Sequence, residues 1–209
     1  MLRKLALLIP VMAGIAPALA QGVYHMEQRG QRGRENREWG GRTSQERLAF
    51  LEKMLNWRAN APDPSPENLF LNARAGELIE QARQAEGNSF QFDRLASAAE
   101  NLMRASERIS AAAKATRVDD NERRDASMLL QKCYFRVQQA EYFAGISRVK
   151  DAKKYVGHTR SLYQQARVAY DARQYDRAQM LGDAASLIVM ALENIAHASL
   201  RIPDPPIIK

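Results

Sequence analysis

The sequence QARVAYDARQYDRA, at positions 165–178, repeats a segment that begins 84 residues earlier, QARQAEGNSFQFDRLA at positions 81–96. The run Gln-Ala-Arg, and the alanine two residues after it, match at this offset of 84. Farther on, Tyr-Asp-Arg at 175–177 matches Phe-Asp-Arg at 92–94 at an offset of 83. The lost residue falls between two helix-like segments, where a turn would join them. The likeness predicts one helical hairpin that occurs twice in the chain.

The apolar positions after each segment recur every three or four residues, which is the spacing of a single helix face. They are Leu95, Ala98, Leu102, Ala105, Ile109 and Ala112 and, at the offset of 83, Ala178, Leu181, Ala185, Ile188, Leu192 and Ile195. Any two amphipathic helices can be phased together, so the identities around the turn carry most of the argument for duplication. At five of the six paired positions a large residue in one seam corresponds to a small residue in the other, while Ile109 and Leu192 are both large. This alternation predicts that the two helices pack across a pseudo-twofold axis. If the two helices were antiparallel, the residues that face one another would be different from the pairs at the offset of 83.

A weaker match extends the repeated unit from two helices to three. At an offset of 82, three leucine positions share their spacing with three later apolar positions: Leu48, Leu51 and Leu55 with Leu130, Cys133 and Val137. The second hairpin also resembles half of a tetratricopeptide unit, on the positions Ala166, Ala169, Tyr175, Ala178 and Ala185. In that family the unit recurs about every 34 residues, and this chain does not have that period. No peptide-binding function is carried over from the resemblance.

Capping and breaking residues predict an all-α fold, an elongated bundle of about six helices built on the duplicated hairpin. Thr43 and Glu46 form a capping box before the first helix, and the prolines at 62–66 separate it from the second. Gly87-Asn88 is a typical helix end. The expected helices extend over about 44–59, 66–86, 92–115, 121–148, 151–172 and 175–201. Because the last of them is apolar nearly all round, we expect it to be the most buried.

The two ends of the chain differ from the helical part. Residues 1–20 have the pattern of a secretory signal peptide, with Arg3 and Lys4 before a short apolar run and Ala18-Leu19-Ala20 as the cleavage pattern. Cleavage near Ala20 predicts a periplasmic or secreted bacterial protein, and an uncleaved N-terminal anchor helix is the alternative. Residues 21–42 form an Arg- and Gly-rich arm with too few apolar residues to fold. A single helical-bundle domain at 43–201 and a Pro-rich tail at 202–209 complete the expected organisation.

The sequence shows no catalytic or metal-binding constellation. The histidines, His25, His158 and His197, lie in different segments, and only Glu193 shares a helix face with one of them. We interpret His197 as a side chain that meets the negative end of its helix. Phosphate loops and nucleophile elbows are also missing from the sequence. We therefore expect no enzyme activity, no metal and no cofactor, with an enzyme whose site the sequence does not reveal as an alternative.

Cys133 has no second cysteine with which to pair inside the chain. Its neighbours are apolar at helical spacing, so we expect a buried residue that packs as a small hydrophobe. An intermolecular disulfide and a reactive thiol are the alternatives, because an exported protein meets an oxidising environment.

A basic cluster surrounds the start of the fifth predicted helix. Cations at a helix start oppose the helix dipole, so this cluster does not serve helix stability. It could bind a phosphate-rich polymer, an anionic membrane or an acidic partner, or it could be a solvated face. The candidate anion-binding residues are Arg148, Lys150, Lys153, Lys154, His158 and Arg160. The formal net charge of +7 is a mild excess and does not indicate nucleic acid, which an exported protein rarely meets.

The fourth predicted helix carries two aromatic pairs, which widen its apolar stripe beyond one face. We expect this helix to be clamped between the two hairpins. In the alternative, one aromatic column is exposed as a binding surface. The candidate partner-binding residues are Tyr134, Phe135, Tyr142 and Phe143. Glu141 lies on or beside that face and would need an Arg or a Tyr hydroxyl as partner if it were buried.

The sequence therefore favours an exported, non-catalytic scaffold, adaptor or binding protein of the bacterial cell envelope. Its partner would be another envelope protein. The alternative is a binder of anionic polymer or of a membrane surface, through the cluster at 148–160 and the Arg-rich arm. The oligomeric state does not follow from the sequence.

Overall fold

The computed structural model describes residues 43–60, 65–115, 122–146 and 149–199. The helices in these ranges are α1 (Ser44–Ala59), α2 (Pro66–Gln84), α3 (Ser89–Lys114), α4 (Arg123–Ile146), α5 (Ala152–Asp171) and α6 (Tyr175–Ala198). Since no strand occurs in the described ranges, the prediction of an all-α bundle of about six helices is confirmed. The expected signal peptide, arm and tail, at 1–20, 21–42 and 202–209, lie outside the described residues.

The helix starts follow from capping side chains. The Glu46 N–H donates to Thr43 Oγ1 over 3.2 Å, and the Thr43 N–H donates to the Glu46 carboxylate over 2.7 Å, which completes the predicted capping box. Ser65 caps α2, which has Pro66 as its first residue. α3 begins three residues earlier than predicted. The reason is that Asn88 accepts a hydrogen bond from the Gln91 N–H and therefore starts α3 instead of ending α2.

α3 and α6 form the central pair of the bundle. α1 and α2 pack against α3, while α4 and α5 pack against α6. Arg94, early in α3, donates to Asn194, late in α6, over 2.9 Å, and Arg108, late in α3, lies 3.8 Å from Asp183. These contacts show that α3 and α6 are antiparallel. The layers that share an offset of 83 therefore do not face one another along the seam, and their alternation of large and small residues does not describe direct contacts.

Two three-helix units with the same topology make up the described part of the chain. In the first three-helix unit, α1 runs parallel to α3, because Arg47 pairs with Asp93 at one end and Arg58 pairs with Glu107 at the other. The second three-helix unit, α4–α6, repeats this arrangement. Leu129 lies against Gly182, and Phe143 lies against His197 fifteen residues farther along α6, so α4 runs parallel to α6.

The two units also bury the same positions. On α2 and α5, at the offset of 84, the buried pairs are Leu71 with Tyr155, Ala75 with Thr159, Leu78 with Leu162 and Ala82 with Ala166. All the seam positions of α3 and α6 are buried except Ile109, which is half-buried and packs against the core. Phe92 is 3% exposed and Tyr175 is 4% exposed, so both aromatics occupy buried corners of their hairpins. These matches support the duplication, and α6 has more buried residues than the other described helices, as predicted.

A buried hydrogen bond joins α2 of the first unit to α5 of the second. The Nε of Arg74 donates to the hydroxyl of Tyr155 over 3.2 Å, and both side chains are buried. Phe70 packs edge-on against the Tyr155 ring, with 5.4 Å between the ring centroids. Burial raises the pKa of the Tyr155 hydroxyl, so this hydroxyl stays protonated at neutral pH.

Candidate functional site

The aromatic side chains of α4 lie mostly in solvent. The expected clamp between the two hairpins is wrong, because the helices that α4 packs against, α5 and α6, belong to its own unit. Phe135 is 70% exposed and Tyr142 is 62% exposed, while Phe143 points inward and packs against the core. The predicted set of four is therefore divided between a surface and a core. The alternative, in which one column is exposed, describes the helix better.

Three exposed apolar side chains of α4 lie on one helix face, with polar residues between them. Met128, Phe135 and Tyr142 are exposed and follow one another at a spacing of seven residues, which places them on the same helix face. Tyr134 is exposed beside them, and its ring packs edge-on against Phe135 with 5.6 Å between centroids. These four residues are called the α4 stripe below. Such a stripe of large apolar side chains at heptad spacing is the kind of surface against which a second helix packs.

Beside the α4 stripe, Glu141 is held by an ion pair. Both the Nε and an Nη of Arg160 donate to one Glu141 oxygen, over 2.9 and 2.7 Å. The arginine is the partner that the sequence required for this carboxylate. The pair links α4 to α5 beside the exposed aromatics.

The predicted anion-binding cluster is largely occupied by internal partners. Lys150 lies 3.1 Å from Glu77, and Lys154 lies 3.2 Å from Asp151, while Arg160 holds Glu141 as described above. The hydrogen bond from Lys150 lowers the pKa of Glu77, and the one from Lys154 lowers the pKa of Asp151. Each of these carboxylates is therefore ionised at neutral pH and offsets the charge of its partner. The cluster does not present a set of converging cations.

The two other described members of that cluster are His158 and Lys153. The His158 ring stacks on Phe70 with 4.8 Å between centroids, and burial lowers the pKa of this histidine. Lys153 is exposed, and no ion pair to it occurs among the described residues. Arg148 lies outside the described residues. The structure therefore brings an uncompensated cation to the surface at Lys153 alone, within the part of the cluster that it describes.

Cys133 is fully buried where α4 packs on its own unit. Burial raises the pKa of its thiol to about 12, with the nearby Asp183 as a smaller cause. The thiol is therefore neutral at physiological pH and poorly nucleophilic. The expectation of a buried residue that packs as a small hydrophobe is confirmed, and an intermolecular disulfide would require α4 to leave its place.

The turn between α5 and α6 has an unusual backbone. Arg173 has a φ of 59°, in the left-handed region, and its N–H donates to Tyr170 O while the Gln174 N–H donates to Ala169 O. This is the Schellman motif, in which glycine is the usual residue. A polar depression of about 530 Å³ lies here, with Tyr175 among its lining residues. Since Tyr175 is buried and its ring packs edge-on against Tyr170, it serves as a core corner of the hairpin.

The described ranges contain neither a metal-binding cluster nor a membrane-spanning helix. No group of three or more His, Cys, Asp and Glu side chains there is placed to hold a metal ion. His197, which shares a helix face with Glu193, lies edge-on to the Phe143 ring. Among the helices described, none is both long enough and apolar enough to cross a membrane.

The sequence did not reveal a pocket that lies between the three helices of the first unit. This α1–α3 pocket has a volume of about 520 Å³ and a largely apolar wall that includes Leu55 and Leu69. Five polar side chains also line it: Arg58, Asn68, Asn72, Ser106 and Ser110. They come from three separate helices and form no local motif, so no spacing rule could find them. Comparison of the two repeats could have found them, since several stand where the second repeat has apolar residues.

Several of these polar groups are buried without a partner. Arg58 is 6% exposed, and its Nη2 lies 3.2 Å from the Glu107 carboxylate without the alignment of a hydrogen bond. Among the described residues, Arg58 Nε, Asn68 Oδ1 and Asn72 Oδ1 are buried and have no hydrogen-bond partner. Asn68 Nδ2 does donate to Ser110 Oγ, over 2.9 Å. The residues that line the pocket thus include apolar side chains, an arginine that pairs with Glu107 and lies over the Trp57 ring, and two asparagines whose carbonyl oxygens have no hydrogen-bond partner.

Comparison of the chain with protein-family models, with curated proteins and with solved structures finds no match, so each of these sites is judged on its own geometry.

Proposed function

We propose that this protein is an exported, non-catalytic adaptor of the bacterial cell envelope, which binds an acidic amphipathic helix of another protein along the α4 stripe. The observation that carries the proposal is the exposure of Met128, Tyr134, Phe135 and Tyr142 on one face of α4. Large apolar side chains exposed together on one helix face mark interaction sites in proteins that function in water. The signal-peptide pattern at 1–20 supports the location.

The spacing of the α4 stripe supports a helix as the partner. Residues seven apart on a helix are separated by roughly 10.5 Å along its axis, at a rise of 1.5 Å per residue. A partner helix with apolar residues at the same spacing would place a side chain beside each of Met128, Phe135 and Tyr142. This is the helix-against-helix mode of recognition, in which aromatic residues serve as anchors.

Charge supports an acidic partner. α4 carries four Lys and Arg residues against two Asp and Glu residues, and the whole chain has a formal net charge of +7. Cations around an apolar stripe steer partners of the opposite charge and disfavour basic ones. A second copy of this chain would bring the same basic helix against α4, so charge disfavours self-association through this face.

The fold itself does not require the stripe. At the offset of 82, the counterparts of Tyr134, Phe135 and Tyr142 on α1 are Glu52, Lys53 and Asn60. The first unit therefore forms the same three-helix arrangement with polar residues at these positions. The first unit exposes its own aromatics, Phe50 and Trp57, at positions where α4 has Lys132 and Gln139. The fold shared by the two units therefore does not require either exposed set, which favours a role in binding for the α4 stripe.

Site-specific photo-crosslinking in the native envelope tests the proposal. A photoreactive phenylalanine analogue replaces Phe135, and the matched control carries it at Val168, which is 69% exposed on α5. We expect crosslinks from position 135 to an acidic peptide with apolar residues at heptad spacing, and none to that peptide from position 168. Crosslinks to α4 of a second copy would overturn the proposal in favour of self-association.

A double substitution separates this proposal from the anion-binding alternative. Phe135→Ser with Tyr142→Ser should abolish the crosslinked complex formed from position 128, because it removes the anchors while leaving the core unchanged. Lys153→Gln should leave the complex in place. The opposite result, loss with Lys153→Gln and retention with the double substitution, would favour binding to an anionic polymer or membrane surface.

A further inference from the structure

We infer that the α1–α3 pocket binds a small organic carboxylate that also carries an N–H donor and an apolar part, as amino acids and short peptides do. This site lies in the first three-helix unit, whereas the α4 stripe belongs to the second. The inference is therefore independent of the proposed function, and either can fail without the other.

The unused polar groups are the first argument. Polar groups buried without a partner destabilise a folded protein, so folded proteins rarely keep them. Arg58 Nε, Asn68 Oδ1 and Asn72 Oδ1 are three such groups beside one cavity, among the described residues. A ligand that supplies one acceptor group and one or two donors would satisfy all three. The side chains that carry these atoms line a single pocket, and a ligand reaches the atoms when those side chains turn toward it, because each atom is covered in the unliganded structure.

The second argument is independent and comes from the repeat. The counterparts of Asn68, Asn72 and Ser106 in the second unit are Ala152, Val156 and Val189, all buried. At the offset of 82, the counterpart of Arg58 is Ala140, which is fully buried. The same three-helix arrangement is thus built with apolar residues at all four places. The polar residues of the first unit are not needed to form the fold.

The geometry of the arginine points to a carboxylate. The Nε and Nη2 of a guanidinium form one edge with two parallel N–H donors, which matches the two oxygens of a carboxylate. In Arg58 this edge is buried, and Glu107 lies near Nη2 only. Because the Glu107 side chain is more than half exposed, it can turn to solvent when a ligand carboxylate takes the edge.

The rest of the lining defines the other parts of the ligand. The carbonyl oxygens of Asn68 and Asn72 accept hydrogen bonds, so they suit an amide or ammonium N–H and disfavour a second anionic group. Leu55 and Leu69 offer an apolar wall to a side chain. A phosphate fits less well, since Arg58 is the cationic side chain of the described lining and the amide oxygens would oppose additional negative charge. The volume of about 520 Å³ lies within the range of small-molecule sites.

Titration calorimetry on the full chain tests the inference. The probes are the free L-amino acids and a set of dipeptides that includes L-leucyl-L-leucine, together with the C-terminal amide of each dipeptide that binds and inorganic phosphate. We expect at least one free carboxylate to bind and its amide to bind about tenfold more weakly or not at all, because the amide lacks the charge that Arg58 pairs. The inference is overturned if no carboxylate binds at about 10 mM, or if acid and amide bind equally.

Variants then place the ligand in the pocket. The double substitution Asn72→Val with Ser106→Val gives the first unit the residues that the second unit has at the matching positions. It should abolish binding without lowering the melting temperature. The matched control is Asn56→Val, the same change at an exposed position of α1 outside the pocket, which should bind as the wild type does. Retained binding in the double variant would overturn the inference. So would loss of binding together with a large fall in melting temperature, because the polar cluster would then be structural.

A further variant keeps the charge and changes only its geometry. Arg58→Lys retains a cation but loses the two-donor edge, so we expect the free carboxylate to bind about tenfold more weakly. Unchanged affinity in a folded Arg58→Lys protein would exclude the proposed role of the guanidinium.

Discussion

The two three-helix units share a topology and a pattern of buried positions. They differ in that the first contains a pocket and the second exposes a row of large apolar side chains on α4. The first unit keeps an open pocket with buried polar groups, where the second unit is filled by alanine and valine. The second unit exposes aromatic residues on α4, where α1 of the first unit has polar residues at the matching positions. Each unit therefore serves as the reference that shows which residues of the other are not required for folding.

The comparison separates stability from function without any related sequence. Positions that agree between the units, such as Leu78 and Leu162, carry the packing that both need. At other matched positions one unit has a polar residue and the other an apolar one, such as Ser106 and Val189. The packing common to both units does not require the polar residue at such a position. The binding sites inferred above lie at positions of the second kind.

The largest expected effect tests the agreement between the units. Leu78→Ala and Leu162→Ala each remove a fully buried leucine at equivalent places, and each should cost about 3 kcal/mol of unfolding free energy. Urea denaturation of the two variants measures both costs. If either substitution lowered the unfolding free energy by less than about 1 kcal/mol, the two leucines would not occupy equivalent core positions.

The next effect tests the disagreement between them. Val189→Ser replaces two methyl groups with one hydroxyl at a fully buried place, and it should lower the unfolding free energy by about 2 kcal/mol. The reciprocal change, Ser106→Val, adds apolar volume beside an open pocket and should change it by less than about 1 kcal/mol. If Ser106→Val costs as much as Val189→Ser, the polar lining of the first unit has a structural role.

A smaller effect concerns the hydrogen bond that joins α2 to α5. Tyr155→Phe removes the acceptor of Arg74 Nε while keeping the ring in place, so it should cost about 1.5 kcal/mol of unfolding free energy. Tyr163→Phe is the matched control on α5, at a half-buried ring, and should cost less than about 0.5 kcal/mol. Equal costs for the two variants would show that the Arg74–Tyr155 bond does not contribute.

The smallest effect is a dependence of stability on pH. Burial holds the pKa of His158 below 6.5, so the unfolded chain binds this proton more readily than the folded protein. The free energy of unfolding is therefore highest, as far as His158 is concerned, above pH 6.5. It decreases as the pH falls from 6.5 through the lower pKa of the folded state. His158→Phe should flatten that part of the stability curve, measured by urea denaturation between pH 5 and 7.5. The lowered pKa values of Glu77 and Asp151 act only in more acidic solution, so a change that persists in His158→Phe would assign the effect to another group.

Much of the fold could be predicted because its signals are local. Thr43 with Glu46, and Ser65 with Pro66, start helices through contacts within four residues, and the seams of α3 and α6 repeat within one turn. The start of α3 was missed because Asn88 can either end one helix or cap the next. Sequence alone does not distinguish these two roles, since both use the same residue after a glycine.

The candidate sites were harder to predict because their contacts join distant segments. The partners of Lys150 and Arg160 are Glu77 and Glu141, which no pattern in the basic cluster indicates. The aromatic pairs of α4 led to the expectation of a clamped helix, which is wrong because periodicity does not say what covers a face. The α1–α3 pocket depends on how three helices converge, which the sequence does not encode in any short motif.

The antiparallel crossing of α3 and α6 is the arrangement that a symmetric dimer of three-helix protomers would have. In an isologous dimer, one surface patch meets its own copy across a twofold axis, with the two copies running in opposite directions. α3 and its repeat α6 meet in this way inside a single chain. The fold therefore has the geometry of a homodimer of three-helix protomers joined in one chain, with the α1–α3 pocket in one protomer and the α4 stripe in the other.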